Sequence, residues 1–174
     1  MSARLVALLG GECTGKTTLG QALARHFDAA FVPEVLREWC DAAGRTPRRE
    51  EQAQIAAEQA RRIQAAAQGQ ALVFCDTTPL ITALYSQQYF DDTTLLPAAL
   101  DFQRGCALNL LCATDLPWEP DGVQRDGPAA RARLDQHLRA TLTQAGLGWT
   151  DVAGPESRRL ALAIAALQRP APGP

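Results

Sequence analysis

Leu5-Val6-Ala7-Leu8-Leu9-Gly10-Gly11-Glu12-Cys13-Thr14-Gly15-Lys16-Thr17-Thr18 decides the fold of this chain. Its first five residues are apolar without alternation, the pattern of a strand buried on both faces of a parallel sheet. A helix follows over residues 16–27, where Leu19, Leu23 and Phe27 recur four apart on one face. Between strand and helix lies G-x-x-x-x-G-K-[ST], in the flanking context that this motif requires. Its glycines let the backbone fold around a phosphate with N–H groups pointing inward, at the positive end of a helix dipole. Lys16 can then reach the β- and γ-phosphates, and the Thr17 hydroxyl can ligate Mg²⁺. We therefore expect Gly11, Glu12, Cys13, Thr14, Gly15, Lys16, Thr17 and Thr18 to bind a nucleotide, read here as ATP.

Working outward, residues 29–32 make a short second strand, and Pro33 suits the first turn of a helix running to about residue 43. A break at 45–49 leads into a long helix over 50–68, rich in Ala, Gln, Glu and Arg and free of proline and glycine. Ile55, Gln59 and Ile63 share one side of it, and Glu58 and Arg62 can pair at i,i+4. Gly69 ends it, and residues 71–75 form a second apolar strand closing on Asp76. Helices over 79–88 and the second half of 91–105, a strand at 108–112, a helix at 129–145, a strand at 149–152 and a helix at 156–167 complete the order. Such alternation implies a parallel α/β sheet with right-handed crossovers. The expected fold class is a P-loop NTPase, a three-layer sandwich around about five parallel strands with a lid loop. One domain over 1–170 with a flexible tail at 171–174 accounts for the chain.

Composition excludes several classes. With 47% hydrophobic residues in 174, the chain can bury a core without disulfides. Seventeen basic and nineteen acidic residues are interspersed, so no phosphate-neutralising surface for nucleic acid is expected. Cys13, Cys40, Cys75, Cys106 and Cys112 form no C-x-x-C pair, and two histidines complete no zinc pattern, so the cysteines read as free thiols. No signal peptide pattern and no apolar run long enough for a bilayer is present, which points to the cytoplasm and away from membranes. Oligomeric state is not fixed by these features.

Asp76 ends its apolar strand where a carboxylate would sit beside the phosphate loop, to hold Mg²⁺ or to take a proton from an acceptor hydroxyl. Capping the next helix is its other possible task. Glu34, Arg37 and Glu38 fall at the sheet's carboxyl edge, where open α/β folds bind ligands. Trp39 and Trp118 are possible stacking partners for a base, with Trp39 leaning toward the core. The polar segment 115–128 is long for a structureless connection and reads as a lid, delivering Arg125 first and Arg131 next to developing phosphate charge.

These residues resemble the ribosylnicotinamide kinase domain of NadR proteins and related small P-loop kinases of AAA type. The likeness rests on GGECTGKTT at 10–18, Glu34 with Arg37-Glu38, Ile55-Ala56, Phe74-Cys75-Asp76-Thr77, and Pro117-Trp118 with Asp121-Gly122. It implies a nucleoside-kinase-like fold and transfer of phosphate from ATP, with Mg²⁺, to the 5′-hydroxyl of nicotinamide riboside. It further implies that Glu34, Arg37, Asp76, Trp118, Asp121, Arg125 and Arg131 meet the acceptor, and that Lys16, Asp76, Arg125 and Glu34 carry the chemistry. Two positions depart from the family pattern: Asp76-Thr77-Thr78 stands where D-T-D is expected, and Pro33 stands where an aromatic precedes the acid. The NadR adenylyltransferase domain has no counterpart within these residues. Two alternatives stay open, a kinase for another nucleoside or nucleotide and an NTP-hydrolysing switch without a small acceptor.

Overall fold

A computed structural model describes residues 2–119 and 127–169. Its elements are β1 (Arg4–Leu9), α1 (Lys16–Phe27), β2 (Ala30–Val32), α2 (Val35–Ala43), α3 (Gln52–Ala67), β3 (Leu72–Asp76), α4 (Pro79–Phe90), α5 (Leu96–Arg104), β4 (Leu108–Cys112), α6 (Gly127–Gln144), β5 (Thr150–Val152) and α7 (Glu156–Gln168). The strands form one sheet in the order β2-β3-β1-β4-β5, with every neighbouring pair parallel.

Alternation along β1 explains why its sequence is apolar throughout. Val6 and Leu8 pack with Leu19 and Leu23 of α1 and Ala163 of α7, whereas Ala7 and Leu9 pack with α4 and α6. All four β1 residues are fully buried, as a central strand between two helical layers demands. Val73 and Cys75 of β3 join Ile63 of α3 on the second face. The result is the three-layer sandwich expected from the sequence.

Local starts and stops differ by a few residues from those expected, for physical reasons. Pro33 precedes α2 instead of opening it. Glu34 is the extended cap residue, at φ −71°, and the Val35 N–H donates to Gln59 Oε1 of α3 at 2.8 Å. The same Gln59 amide donates to the Pro33 carbonyl at 3.3 Å. A side chain from another helix thus supplies the cap that local sequence lacks. A 3₁₀ turn at Arg49–Glu51 delays α3 to Gln52, held by the Arg48 N–H donating to Glu51 Oε2 at 2.7 Å. Glu58 and Arg62 pair at 2.8 Å, as their spacing suggests. No described helix is long and apolar enough to cross a membrane. The tail at 171–174 lies outside the described residues.

Candidate active site

The phosphate loop joins β1 to α1 at the carboxyl edge of the sheet. Gly10 has φ +140°, and a Cβ there would lie 2.9 Å from the Cys112 carbonyl oxygen, so only glycine fits. Gly15 enters α1 in the left-handed region at φ +75°. The Thr14 hydroxyl donates to the Gly11 carbonyl at 2.8 Å, and the Lys16 ammonium donates to that same oxygen at 2.7 Å. Lys16 and Gly11 are buried, Glu12, Cys13, Gly15 and Thr17 are half-buried, and Thr18 is exposed.

Register places the first carboxylate. β3 lies directly beside β1 with Asp76 opposite Leu8, so a residue ending β3 must meet the start of the phosphate loop. Asp76 Oδ2 accepts a hydrogen bond from the Thr17 hydroxyl at 2.5 Å. Its Oδ1 is buried without a hydrogen-bond partner. The cap residue of α4 is Thr78, so capping is not the task of Asp76. Thr77, next in the chain, adopts φ +68°, an outlier for a β-branched residue and a mark of strain at this step. Its N–H donates to the Leu8 carbonyl at 3.1 Å. Thr78, Gln103 and Asn109 then form a buried relay, with steps of 2.6 and 2.6 Å, that ends on the Gly148 carbonyl at 2.9 Å. That relay fixes the turn after Asp76 to β4.

Glu34 faces the same cluster. Burial of its carboxyl raises its pKa above the ordinary value; Lys16 pulls it down, Asp76 pushes it up and Arg37 pulls it down. These couplings bring Lys16, Asp76, Glu34 and Arg37 into one electrostatic neighbourhood. Glu38 does not join them, because it turns to Arg62 of α3 at 2.5 Å.

Two arginines stand behind the loop. Arg159 of α7 is 2% exposed. Its guanidinium donates to the Thr14 carbonyl at 2.7 Å, the Gly154 carbonyl at 2.7 Å and the Ala113 carbonyl at 3.2 Å, and pairs with Asp115. Burial pushes Asp115 up, yet the Gly154 N–H and Arg159 outweigh it and hold its pKa below the ordinary value. Arg131 of α6 donates to the carbonyls of Cys13, Leu116 and Thr114 at 3.3, 3.1 and 3.2 Å. Arg131 is thus tied to the backbone between the phosphate loop and the segment after β4. Cys13 Sγ donates to the Glu119 carbonyl at 3.2 Å, and Leu116 lies over Gly15. Trp118 is half-buried, with its indole Nε1 lacking a partner. Asp121 and Arg125 lie outside the described residues.

A cavity of about 310 Å³ adjoins the loop, lined among others by Glu12, Leu36, Gln52, Tyr85, Tyr89 and Phe90. Its aromatic faces come from α4. Trp39 instead packs against the Val35, Leu36, Cys40 and Ile55 cluster, with the Arg45 guanidinium 4.8 Å over its ring.

A family model described as an AAA domain matches residues 5–159. The chain belongs to this AAA-domain family. Among solved structures, it is similar to NadR protein in complex with NR, at TM-score 0.74 and 23% identity, covering 95% of this chain and 50% of that one. NadR protein in complex with NAD and AMP-PNP matches at TM-score 0.74 and 24% identity, with 95% and 48% covered. Thymidylate kinase from Ehrlichia chaffeensis matches at TM-score 0.68 and 12% identity, over 97% of this chain and all of that one. Deoxyadenosine kinase from M. mycoides matches at TM-score 0.67 and 12% identity, with 94% and 98% covered. The fold is that of P-loop kinases, and this chain spans about half the length of the NadR chains. No curated protein sequence matches it.

Within this AAA-domain chain, sequence reasoning missed three parts of the site. Arg159 shares a helical stripe with the buried Ala163, Ala166 and Leu167, and a charge on an apolar stripe was the available signal. The α4 aromatics and Gln52 gave no local signal, since an aromatic or a glutamine on a helix is ordinary.

Proposed function

We propose that the chain is an ATP- and Mg²⁺-dependent kinase that phosphorylates a hydroxyl of a nucleoside-like acceptor, nicotinamide riboside being the first candidate. The observation that carries this reading is Asp76: one carboxylate oxygen takes the Thr17 hydroxyl while the other is buried and unpartnered. An orphaned buried carboxylate oxygen beside a phosphate loop fits a divalent cation, and hydroxyl plus carboxylate is a hard oxygen set suited to Mg²⁺. When bound, Mg²⁺ supplies neutralisation of charge across the β- and γ-phosphate oxygens.

The loop amides and Lys16 grip the triphosphate, with Lys16 exchanging the Gly11 carbonyl for phosphate oxygens. Glu34 takes the proton from the acceptor hydroxyl, whose oxygen bonds to the γ-phosphorus as the bond to the β,γ-bridging oxygen breaks and ADP leaves. Glu34 suits this task better than Asp76, because Asp76 is committed to the Thr17 hydroxyl, and burial raises the pKa of Glu34 toward that of a working base. Arg131 and Arg159 keep the loop in shape, and alignment with charge neutralisation accounts for the rate. The nearby cavity would take the acceptor. Its relatives in fold include a NadR protein solved with NR and nucleoside and nucleotide kinases, which supports the acceptor class. All five cysteines are free thiols, with burial pushing Cys112 up to about 11 and Cys106 up to about 12; a reducing compartment such as the cytoplasm suits them.

The test is conversion of ATP to ADP with Mg²⁺ across nucleosides, nucleotides and nicotinamide riboside, with one sample lacking acceptor. Turnover only with nicotinamide riboside supports the full reading. Another acceptor would keep the kinase and change its substrate, and acceptor-independent hydrolysis would replace the kinase with a switch.

A further inference from the structure

We infer that the buried relay of Thr78, Gln103 and Asn109 is a positioning device that holds the Asp76 carboxylate where Mg²⁺ requires it, so that these three residues set the preference of the site for Mg²⁺ over Ca²⁺. For its metal this rests on the reading of the site given above. Asp76 is the last residue of β3, and the chain turns immediately after it through Thr77 at φ +68°. A β-branched residue keeps that conformation only where its surroundings over-determine it. One restraint is the Thr77 N–H on the Leu8 carbonyl at 3.1 Å. The other is the relay, which begins one residue later.

Thr78 is the point where the relay leaves the backbone. It caps α4 in extended backbone, at φ −138°, yet makes no side-chain cap bond, although a threonine there ordinarily takes a helix N–H. Its hydroxyl is turned to Gln103 Oε1 of α5, to which it donates at 2.6 Å. Gln103 Nε2 donates to Asn109 Oδ1 of β4 at 2.6 Å, and Asn109 Nδ2 donates to the Gly148 carbonyl at 2.9 Å. Thr78 and Gln103 are fully buried and Asn109 nearly so. On β4, Asn109 shares a face with Leu111, which packs into the apolar layer of Leu80, Leu84, Ala99 and Leu138. Apolar side chains of the same shape would serve that layer about as well. What a fully satisfied polar network adds is a single fixed geometry. Because β1 lies between β3 and β4, the relay refers the turn after Asp76 to the centre of the sheet.

Fixed geometry matters at Asp76 because only one of its oxygens is engaged. Oδ2 takes the Thr17 hydroxyl, and Oδ1 is buried without a partner. Mg²⁺ demands near-ideal octahedral placement of its oxygens, whereas Ca²⁺ accepts a looser shell. Losing a support behind a metal ligand typically lowers metal affinity by about 10–100-fold. A relaxed turn should therefore cost Mg²⁺ more than Ca²⁺.

The test is calorimetric binding of AMP-PNP in EDTA, in Mg²⁺ and in Ca²⁺, and its readout is the factor by which each ion tightens binding. Thr78→Val keeps the shape of the side chain without its hydroxyl, and Gln103→Met cuts the middle link at similar volume, so the relay is broken at two points. Each should cut the Mg²⁺ factor about tenfold and the Ca²⁺ factor by less than about threefold. Affinity in EDTA, carried by the loop amides and Lys16, should stay within about twofold. Thr78→Ser keeps the hydroxyl and should keep the Mg²⁺ factor. Leu167→Ala truncates the core at the opposite edge of the sheet, where Arg4 at the start of β1 donates to the Leu167 carbonyl; it should lower stability and leave every factor unchanged. An Mg²⁺ factor that survives both relay breaks, falls as far in Thr78→Ser or Leu167→Ala, or falls in step with the Ca²⁺ factor overturns the inference. So does a wild type whose binding Mg²⁺ does not tighten. Failure of both relay breaks to fold while Leu167→Ala folds would make the relay purely structural and overturn it too. The expected pattern without phosphate transfer to any acceptor sinks the kinase reading and upholds the inference; transfer with the Mg²⁺ factor untouched does the reverse.

Discussion

Behind the phosphate loop, Arg159 bonds the carbonyls of Thr14, Ala113 and Gly154 and pairs with Asp115, while Arg131 bonds those of Cys13, Thr114 and Leu116. In front of it, Asp76 Oδ1 and Gln52 Oε1 are buried with no partner at all. Satisfied polar groups fix a shape, and unsatisfied ones carry a cost that a ligand can remove. The difference predicts that stability and activity separate on the two sides of the phosphate loop. Substitutions behind should cost stability, and substitutions in front should cost activity.

The largest effect expected is in front. Lys16→Ala should lower kcat/KM on the order of 1,000-fold by removing the charge that meets the β- and γ-phosphates, with the thermal midpoint nearly unchanged. A melting temperature that falls with activity would break the comparison. Behind the loop, Arg159→Leu should lose about 3 kcal/mol in denaturant unfolding, since it leaves an ion-pair partner and buried carbonyls without their donor. Arg159→Lys should recover only part of that loss, because an ammonium cannot span the fork of contacts. Full stability in either variant would mean that α7 does not hold the loop.

Glu34→Gln should lower kcat by about 100-fold, the usual worth of a general base. In wild type, kcat should rise with pH through the titration of Glu34. Because its pKa is raised, that limb should sit above the ordinary carboxylate range, and the variant should lack it. Stability has the opposite sign: folding favours protonated Glu34, so its contribution falls as pH rises from the ordinary carboxylate value through the raised one. Gln52→Leu sharpens the comparison further, since removing an orphaned oxygen should leave stability unchanged or raise it by up to about 1 kcal/mol. Smallest of all, Glu38→Ala should change stability by less than about 1 kcal/mol, because its pairing with Arg62 is exposed to solvent.

How legible each region was in the sequence follows the same division. The strand, phosphate loop and helix of residues 4–27 are written in consecutive residues, so they could be read directly. Asp76 was readable because it ends an apolar strand, and parallel register then places it beside Leu8. Arg159 meets Thr14 across 145 positions of sequence, a contact that no local pattern encodes. Gln59 capping α2 from α3 is of the same kind, and it moved the start of that helix past Pro33. Tyr85 and Tyr89 had no signal because α4, buried on most of its surface, already accounts for apolar residues there. Arg131 was picked out in the sequence as a lid arginine, and its three backbone partners, one of them in the phosphate loop, were not legible there.

The most direct test of the central claim is to follow the γ-phosphate of ATP by ³¹P NMR, with Mg²⁺, nicotinamide riboside and the wild-type chain, beside a sample without riboside. The account predicts a new phosphomonoester signal that grows one-for-one with ADP and only when the riboside is present. Inorganic phosphate appearing at the same rate in both samples would contradict it.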